Sequence, residues 1–505
     1  MKMKNIIKNI LVGGMAATML VSCDLNLVPT TAIVYEEGKP LFLQESDVTA
    51  FQNGVLASYR SVQYGSYTQS TEVMCDGFNA TIGFGNNYGS VHRADYTFTP
   101  SDEYAESMWA NHYIAIKNYN IAIANADLVA EDADFKPASD VLKGIALFAR
   151  ASSYITLARH FGNAYNPATA ATDLCVPLVL VYDQLEKPAR ASVKDVYDQI
   201  IVDLEEAEVL LANIPGAVRS QIPTVDAVKA LKARYYLDVQ EYALAYEAAE
   251  AVIASEAGYA LANSAETMLA EYTNDAGTEP IVQLFASTTE GAKGNTLYTL
   301  VNTGSEVAKY FGSYYVPTAK LVNAYSQSDL RFTTWFTNSM YPVFSSGNYY
   351  EGAYVFIKYL DNPALHAGDV ETGAHAAKPL LISEMYLIAA EAYAMDKKEA
   401  EAKAVLNELQ AARLAPHTDG SMASIKNEWF RETVGEGHRM ACLKRWGEGV
   451  AARTPQAAAQ EFVQTGPAYT ERVLDADTHV FNWPVPTYEM KINKNLVQNP
   501  GYSAE

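Results

Sequence analysis

The sequence predicts a mainly α-helical protein in which tetratricopeptide-like helix pairs support a loop-rich insertion with short β-hairpins. Three observations carry this prediction. Apolar residues recur at the i, i+3, i+4 and i+7 spacing of amphipathic helices in two stretches, 224–255 and 382–414. A third stripe of this kind fills residues 192–213. Between 262 and 380 the periodicity gives way to Gly, Asn, Ser and Tyr, which is typical of loops.

The first 22 residues are predicted to be a signal peptide. Three lysines precede a 12-residue apolar run, residues 10–21, and a bilayer span would need about 20 residues. Cys23 follows Ser22 at the end of this run, in a pattern that resembles a bacterial lipobox. The resemblance implies that Cys23 is acylated, becomes the first residue of the mature chain and anchors it to a membrane.

The mature chain, residues 23–505, is predicted to form one domain, because no Pro/Ser/Gly-rich linker or run of like charges divides it. Its helical frame covers about 40–260 and 380–505, and the loop-rich insertion covers about 262–380. Further helices are expected at about 46–64, 104–130 and 139–161.

Local signals support the helices of the frame. Ser192, with Asp195 three residues later, is typical of a capping box at the start of the third stripe. In the stretches 224–255 and 382–414, alanines occupy positions where two helices have to approach closely. Each stretch is about as long as a tetratricopeptide unit of roughly 34 residues, so each is predicted to be a helix pair.

Composition and cysteine spacing exclude several classes of function. The formal net charge is −22, and it becomes −25 without the signal peptide, which argues against binding nucleic acid or anionic lipid through basic patches. Besides Cys23 there are only Cys75, Cys175 and Cys442, which lie far apart and form no C-x-x-C motif. The spacing excludes a zinc-ribbon site, and we expect three packed, free thiols.

No catalytic motif is found in the sequence. G-x-S-x-G, H-E-x-x-H, G-x-x-x-x-G-K and H-x-H are all absent, and the eight histidines occur singly. The acidic clusters 131–134 and 475–477 lack the glycine and distal glutamate of a calcium loop. We therefore expect no catalytic residue, no metal and no cofactor. A glycosidase needs only two suitably spaced carboxylates, so a carbohydrate-active enzyme stays open as a distant alternative.

Five segments of the mature chain carry motifs along most of its length. They are "ARASSYITLARHFG", "RASVKDVYDQIIVDLEEA", "MYLIAAEAY", "EGHRMACLKRWG" and "WPVPTYEMKINKNLVQNPGY". With these motifs the chain resembles the SusD/RagB family, the nutrient-binding surface lipoproteins of Bacteroidetes. The last segment is the most specific, because it is close to the family's "QNPGY" ending.

Three positions depart from the family pattern. Trp429 and Leu381 stand where the family usually has arginine, and Cys442 stands where it has aspartate. These positions resemble parts of a buried ion-pair network, in which losing charges from both sides together can be nearly neutral. Other charged positions of that corner are retained, namely Glu428, Glu432, Glu436 and Arg439.

The resemblance implies a non-catalytic binding protein with a SusD-like fold. Its tetratricopeptide-like units would pack against a TonB-dependent outer-membrane transporter of the SusC kind, and the irregular remainder would capture oligosaccharides and deliver them. The protein would be anchored by lipid to the outer membrane and would face the cell exterior. Peptide capture, as in RagB-type members, is the alternative.

Two regions offer flat rings together with planar polar groups, the combination that binds sugars. They are residues 76–93 and 310–350, and the resemblance implies that loops from about these regions form the ligand site. The residues that we expect to bind a glycan are Asp76, Asn79, Asn87, Tyr88, Arg93, Tyr314, Tyr315 and Trp335.

The first region also contains a glycine pattern that could suggest phosphate binding. Gly83, Gly85 and Gly89 give G-x-G-x-x-x-G, one residue longer than the dinucleotide fingerprint. We interpret these glycines as turn residues that expose rings and amides, with no phosphate involved.

Overall fold

The computed structural model describes residues 38–290, 297–301, 310–365 and 373–503. Cys23 and the predicted signal peptide lie outside these residues. Within them the regular structure is mainly helical with a few short strands, as the sequence predicts.

The helices and strands follow one another along the chain with most strands in the predicted insertion. The α-helices are α1 (Glu45–Ser61), α2 (Ser66–Met74), α3 (Gly89–Arg93), α4 (Glu103–Ala126), α5 (Lys136–Phe161), α6 (Val193–Leu210), α7 (Val225–Asp238), α8 (Tyr242–Ile253), α9 (Ala265–Tyr272), α10 (Ala319–Asn323), α11 (Leu330–Trp335), α12 (Ile382–Met395), α13 (Glu399–Ala412), α14 (Met422–Glu432), α15 (Arg439–Trp446) and α16 (Thr487–Ile492). The strands are β1 (Phe78–Ala80), β2 (Pro280–Val282), β3 (Tyr298–Val301), β4 (Tyr310–Ser313), β5 (Tyr315–Pro317), β6 (Phe336–Thr337), β7 (Tyr341–Pro342), β8 (Val355–Phe356) and β9 (Leu380–Leu381).

The long helices pack side by side around the larger hydrophobic core. α5 lies between α4 and α6, and α12 packs against α8 and α13. Among the described residues, α5 is the one helix long and apolar enough to cross a bilayer, but 83% of its apolar window is buried in the protein. We therefore assign α5 to the core.

The two predicted helix pairs are α7 with α8 and α12 with α13. Close approach is possible because alanines such as Ala249 and Ala389 are fully buried at the contacts. Between the pairs, the rings of Tyr246 and Tyr393 stack with centroids 4.1 Å apart. The capping box predicted at the start of α6 is confirmed, since Ser192 and Asp195 cap each other's backbone N–H groups.

The strands form small sheets within and beside the insertion. β1 pairs with β5, β2 with β9 and β6 with β8, each antiparallel. β4 pairs antiparallel with β3 and parallel with β7. None of these sheets is large enough to form a core by itself.

A second hydrophobic core lies under the insertion and contains many aromatic rings. Charged groups are buried beside it. Arg413, which is 0% exposed, contacts Glu432 at 2.5 Å and Glu279 at 2.8 Å. A buried ion-pair network is therefore present, and it includes two carboxylates from the corner where the sequence departs from the family pattern, on Glu428 and Glu432.

Two of the departing positions lie beside the same arginine. Trp429 is buried, with the guanidinium of Arg445 lying 5.5 Å from its ring centroid. Cys442 is buried next to the same arginine. Cys75 and Cys175 are also buried and free, so the prediction of three free, packed thiols is confirmed.

Candidate functional site

A short antiparallel pairing joins the two regions in which the sequence places the ligand site. β1 pairs with β5 in a register that sets Asn79 opposite Val316 and Ala80 opposite Tyr315. Each strand has only three residues. Because a pairing of three residues gives little stability by itself, further hydrogen bonds are needed to fix the loops that follow the strands.

Thr81 and Tyr315 provide these further hydrogen bonds. Thr81 donates its N–H to the Tyr314 carbonyl at 2.9 Å and its hydroxyl to the Ser313 carbonyl at 2.6 Å. Tyr315 donates its hydroxyl to the Asn87 carbonyl at 2.6 Å. The loop that follows β1 is thereby attached to β5, although the two segments lie 228 residues apart in the sequence.

Left-handed backbone shapes this loop, residues 82–89. Gly85, Asn86 and Tyr88 have φ angles of 58°, 63° and 54°. Glycine and asparagine tolerate this conformation, whereas the bulkier Tyr88 is held in it by its N–H, which donates to the Tyr104 hydroxyl at 2.8 Å. The loop leads into α3, which has only five residues. The glycines thus make a turn and do not open the longer helix of a dinucleotide site.

A hairpin of residues 341–350 packs on the same loop. A Cβ on Gly83 would come within 2.5 Å of the Phe344 ring, so only glycine allows this approach. The hairpin carries Tyr341 and Tyr349, whose ring centroids are 6.1 Å apart. Tyr349 is 52% exposed, so an accessible ring lies beside the loop.

Arg93 connects two turns at this surface. It donates Nη1 to Oδ1 of Asn86 at 2.9 Å and Nη2 to the hydroxyl of Thr97 at 3.1 Å. Its Nε lies 3.9 Å from Asp95, and 15% of its side chain stays exposed. Arg93 therefore fixes the distance between the turn at Asn86 and the turn at residues 95–97.

The second turn presents Tyr96, which is 90% exposed. Tyr96 borders a groove of about 680 Å³ that also includes Phe98, Arg472 and Tyr502. The sequence analysis missed this residue. Its signal was a ring between Asp95 and Thr97 in a turn-forming segment, because turns and loops run mostly over the protein surface.

Three of the residues predicted to bind ligand have accessible surface near these turns. Asn87 is exposed, and its side-chain amide donates to the Phe84 carbonyl at 2.7 Å. Tyr314 and Arg93 are half-buried. The contact of these residues with a glycan stays a prediction.

Asp76 is placed in the interior, where it forms an ion pair. It is 1% exposed and accepts two bonds of 2.9 Å from Arg439 and one of 2.6 Å from Lys320. Burial acts to raise the pKa of Asp76, but the two cations outweigh it and lower the pKa to about 2. Its carboxylate already accepts hydrogen bonds from both cations, so Asp76 stabilises the protein beneath the site.

Asn79, Tyr88 and Tyr315 are also buried beneath the loops. Asn79 is 1% exposed, and neither its amide oxygen nor its amide nitrogen has a hydrogen-bond partner among the described residues. Tyr88 donates its hydroxyl to Gln69 at 3.1 Å, and Tyr315 packs its ring against Phe84. These side chains lie below the exposed surface.

Trp335 is a core residue, which corrects the expectation that its ring faces a ligand. It is 1% exposed. The Tyr272 ring meets it edge-on at 5.1 Å, and Nζ of Lys358 lies 3.9 Å from its centroid. The physical reason is that the insertion builds a core of its own and needs large rings to fill it.

The exposed groups combine flat rings with amides and a guanidinium. Such a surface can stack on the apolar faces of sugar rings and exchange hydrogen bonds with their hydroxyls. Among the residues that the structure describes, no group of three or more His, Cys, Asp or Glu could hold a metal. We call this set of exposed and half-buried residues the loop face: Asn86, Asn87, Arg93, Tyr96, Tyr314 and Tyr349.

Two family comparisons match consecutive parts of the chain. Residues 35–237 match a SusD-like family described as starch-binding and associating with the outer membrane. Residues 249–502 match the family described as the SusD family. A comparison with curated proteins gave no significant match.

Solved structures with similar folds cover almost the whole chain. A proposed sugar-binding protein from Bacteroides vulgatus is 26% identical, with a TM-score of 0.73 over 92% of this chain and 100% of its own. A laminarin-binding SusD-like protein is 20% identical, with a TM-score of 0.70 over 91% and 100%. Surface glycan-binding protein A from Bacteroides fluxus is 17% identical, with a TM-score of 0.70 over the same shares. The likeness to the last two concerns the fold.

Proposed function

The chain belongs to the SusD family, whose members are non-catalytic binding proteins, and on this premise we propose that it captures oligosaccharides and delivers them to a SusC-like, TonB-dependent transporter. The observation that carries the proposal is the ring of Tyr96, 90% exposed beside turns that Arg93 holds in place. A ring so exposed stabilises the fold little and is available to a ligand.

The loop face is the surface to which we assign the glycan. Tyr96 and Tyr349 offer accessible rings, and the amides of Asn86 and Asn87 can both donate to and accept from sugar hydroxyls. The predicted residues that are buried, such as Asp76, keep the loops in place without touching the ligand. The names of the similar sugar-, laminarin- and glycan-binding proteins support this class of ligand.

The family associates with the outer membrane, which supports the proposed location. We infer that acylated Cys23 anchors residues 23–505 there as one unit that faces the cell exterior. Peptide capture is the competing function, and a carbohydrate-active enzyme is the more distant one. Both are distinguished from glycan capture by the experiment below.

The test is calorimetric titration of the soluble chain from residue 24 onward with plant, host and microbial oligosaccharides and with a peptide mixture. Tyr96→Ala should weaken binding of the captured glycan about tenfold, because it removes one stacking ring. Tyr182→Ala removes a partly exposed tyrosine outside the loop face and should leave the affinity unchanged.

Each result bears on one part of the proposal. Equal affinity of the Tyr96→Ala variant and the wild type would remove the loop face as the site. Binding of peptides alone would replace glycan capture with peptide capture. Chromatography of the incubated ligand should recover it intact, and shortened chains would contradict a non-catalytic role.

A further inference from the structure

A groove lies on the surface of the helical frame between α1 and α4. Its volume is about 280 Å³, and it is lined by Ala50, Phe51, Gly54, Val55, Asn118 and Ile121. The two helices run antiparallel. The Leu41 N–H, just before α1, donates to the Asn125 side chain at 2.9 Å, and Asn118 donates to the hydroxyl of Ser58 at 2.9 Å. No loop-face residue borders this groove, so its occupant is independent of the proposed glycan.

Exposed apolar side chains extend the groove along both helices. Ile114 of α4 is 53% exposed, and Leu128, just after the end of α4, is 43% exposed. Each lies seven residues from Ile121, which is almost two helical turns, so these side chains share one face. Leu43, in front of α1, is 74% exposed. A continuous apolar surface of this kind is typical of a contact with another chain segment.

Gly54 lies in the middle of α1 and borders the groove. Glycine is unfavourable in a helix interior relative to alanine. Apart from its chain neighbours and the backbone of α1, a Cβ at this position would meet no heavy atom of the described residues within 4 Å. Packing in the described part of the chain therefore gives no reason for a glycine here. A segment that passes close to the helix backbone would give one.

The described part of the chain begins at one end of this groove. Gly38 precedes Leu41, whose N–H is bonded to Asn125, and Asn125 lies about one helical turn from Ile121. Gly38 has a φ angle of 76°, a left-handed conformation that lets the chain reverse direction before α1. The residues that precede Gly38 therefore start next to the groove.

The segment before Gly38 has a suitable composition. We call residues 24–37, which lie outside the described residues, the tether. Its sequence is "DLNLVPTTAIVYEE", in which residues 32–35 form an unbroken apolar run. The β-branched Ile33 and Val34 favour an extended backbone. An extended apolar strand is narrow enough to lie between two helices and would bury apolar surface on both sides.

The lengths of the groove and of the tether also agree. From Asn125 back to Ile114, α4 rises about 17 Å at 1.5 Å per residue. An extended chain covers this distance with about five residues. Residues 33–37 are therefore enough to fill the groove and its extension.

We propose that residues 33–37 of the tether lie extended in the groove, with apolar side chains against Gly54 and Ile121. The consequence for the membrane rests on the proposed acylation of Cys23. The whole tether could span about 50 Å when extended, whereas residues 24–32 alone span about 30 Å. Docking of the tether would thus hold the domain closer to the membrane.

The test places single cysteines in the chain from residue 24 onward. The native Cys75, Cys175 and Cys442 are buried, so an added thiol reacts selectively. Ile33→Cys should be alkylated by N-ethylmaleimide about tenfold more slowly than Leu25→Cys, because the groove covers only the first of these positions.

Gly54→Leu is the variant that blocks the groove. The new side chain has open space, so the fold should be retained while the tether is displaced. With this substitution, Ile33→Cys and Leu25→Cys should react at equal rates. Asn53→Leu adds the same side chain at an exposed position of α1 that does not line the groove. This control should leave the tenfold difference unchanged.

Chymotrypsin provides a second measurement that needs no added cysteine. Cleavage after Tyr35 should be about fivefold slower in the wild type than in Gly54→Leu, whereas cleavage after Leu27 should be equal in both. The proposal is overturned if Ile33→Cys reacts as fast as Leu25→Cys, or if Gly54→Leu changes neither readout. A dimer in sedimentation that Gly54→Leu dissociates would assign the groove to a second copy and would also overturn it. These measurements involve neither a glycan nor acylation, so they are independent of the proposed function.

Discussion

The helical frame and the loop-rich insertion satisfy their buried polar groups in different ways. In the frame, long helices such as α4 and α5 bond their own backbone, and small apolar residues fill the contacts. In the insertion, buried charged side chains satisfy one another through ion pairs. Arg331 is 0% exposed and contacts Asp329 at 2.7 Å, Glu428 at 2.5 Å and Glu432 at 2.8 Å.

Arg453 shows how far this dependence on side chains goes. It is 0% exposed, and it donates hydrogen bonds to the carbonyl oxygens of Met74, Cys75, His92 and Tyr469. These oxygens belong to irregular segments or helix ends, where hydrogen bonding between backbone groups is incomplete. The comparison teaches that order around the loops depends on a few long polar side chains, whereas in the frame such side chains, for example Arg150 paired with Asp203 at 2.7 Å, add to extensive helix packing.

The strongest test of this contrast is Arg413→Met. The substitution leaves Glu279 and Glu432 without their shared cation in a buried site. We expect the free energy of unfolding to fall by about 3–5 kcal/mol, measured by urea denaturation. Lys194→Met breaks an exposed pair with Asp198 on the frame and should leave the urea midpoint unchanged. Similar losses in both variants would contradict the contrast.

Glu72→Gln tests, through the pH dependence of stability, a buried carboxyl of α2 that lies close to Lys358 of the insertion. Glu72 is 4% exposed and accepts the Gly437 N–H at 2.8 Å, and burial raises the pKa of its carboxyl to about 7. Its contribution to stability is complete below the unfolded pKa of about 4.5 and is lost as the pH rises through about 7. The variant should match the wild type at pH 4 and exceed its unfolding free energy by up to about 3 kcal/mol at pH 8. A constant difference across this range would show that Glu72 does not titrate so high.

His112→Phe tests the frame. Its stability relative to the wild type should change with pH in the direction opposite to that of Glu72→Gln. His112 is 0% exposed, neither ring nitrogen has a hydrogen-bond partner in the part of the chain that the structure describes, and burial lowers its pKa to about 3. The neutral ring contributes stability above the unfolded pKa of about 6.5, and this contribution is lost as the pH falls toward 3. Thermal unfolding should therefore show that the melting temperature of the variant rises relative to that of the wild type below pH 6. No such gain would exclude His112 as a source of acid sensitivity.

Ala249→Leu tests the packing of the frame by side-chain size. Ala249 is fully buried where α8 meets its neighbours, so the extra carbons have no space. We expect a loss of about 1–3 kcal/mol in the free energy of unfolding, determined by chemical denaturation. Ala243→Leu on the exposed face of the same helix is the matched control and should have little effect. If the two variants behave alike, α8 is packed more loosely than the structure indicates.

The frame could be predicted from the sequence because its information is local. Helical periodicity and the Ser192 cap depend on residues a few positions apart, and the helices expected at about 46–64, 104–130 and 139–161 correspond to α1, α4 and α5. The helix pairs were likewise visible as repeated stripes of apolar residues.

The candidate site could be predicted only as two regions of sequence. Trp335 lies in a helix of six residues, too short for a periodic signal, and its burial depends on Tyr272 and Lys358, which are distant in the sequence. Asp76 has a pattern suited to binding, but its partner Arg439 lies 363 residues away. The sequence analysis missed Tyr96 because the exposure of a side chain depends on how the rest of the chain packs around it.

The pairing of β1 with β5 has a consequence for the order in which the protein assembles. The loop after β1 is fastened to β5 by groups 228 residues apart, and helices α4 to α8 lie wholly between them. Contacts that close such long loops form late, whereas helices form from neighbouring residues. During synthesis helices α4 to α8 can therefore fold while β1 still lacks its partner. A chain that stopped before β5 would have much of its helical body and no completed loop face.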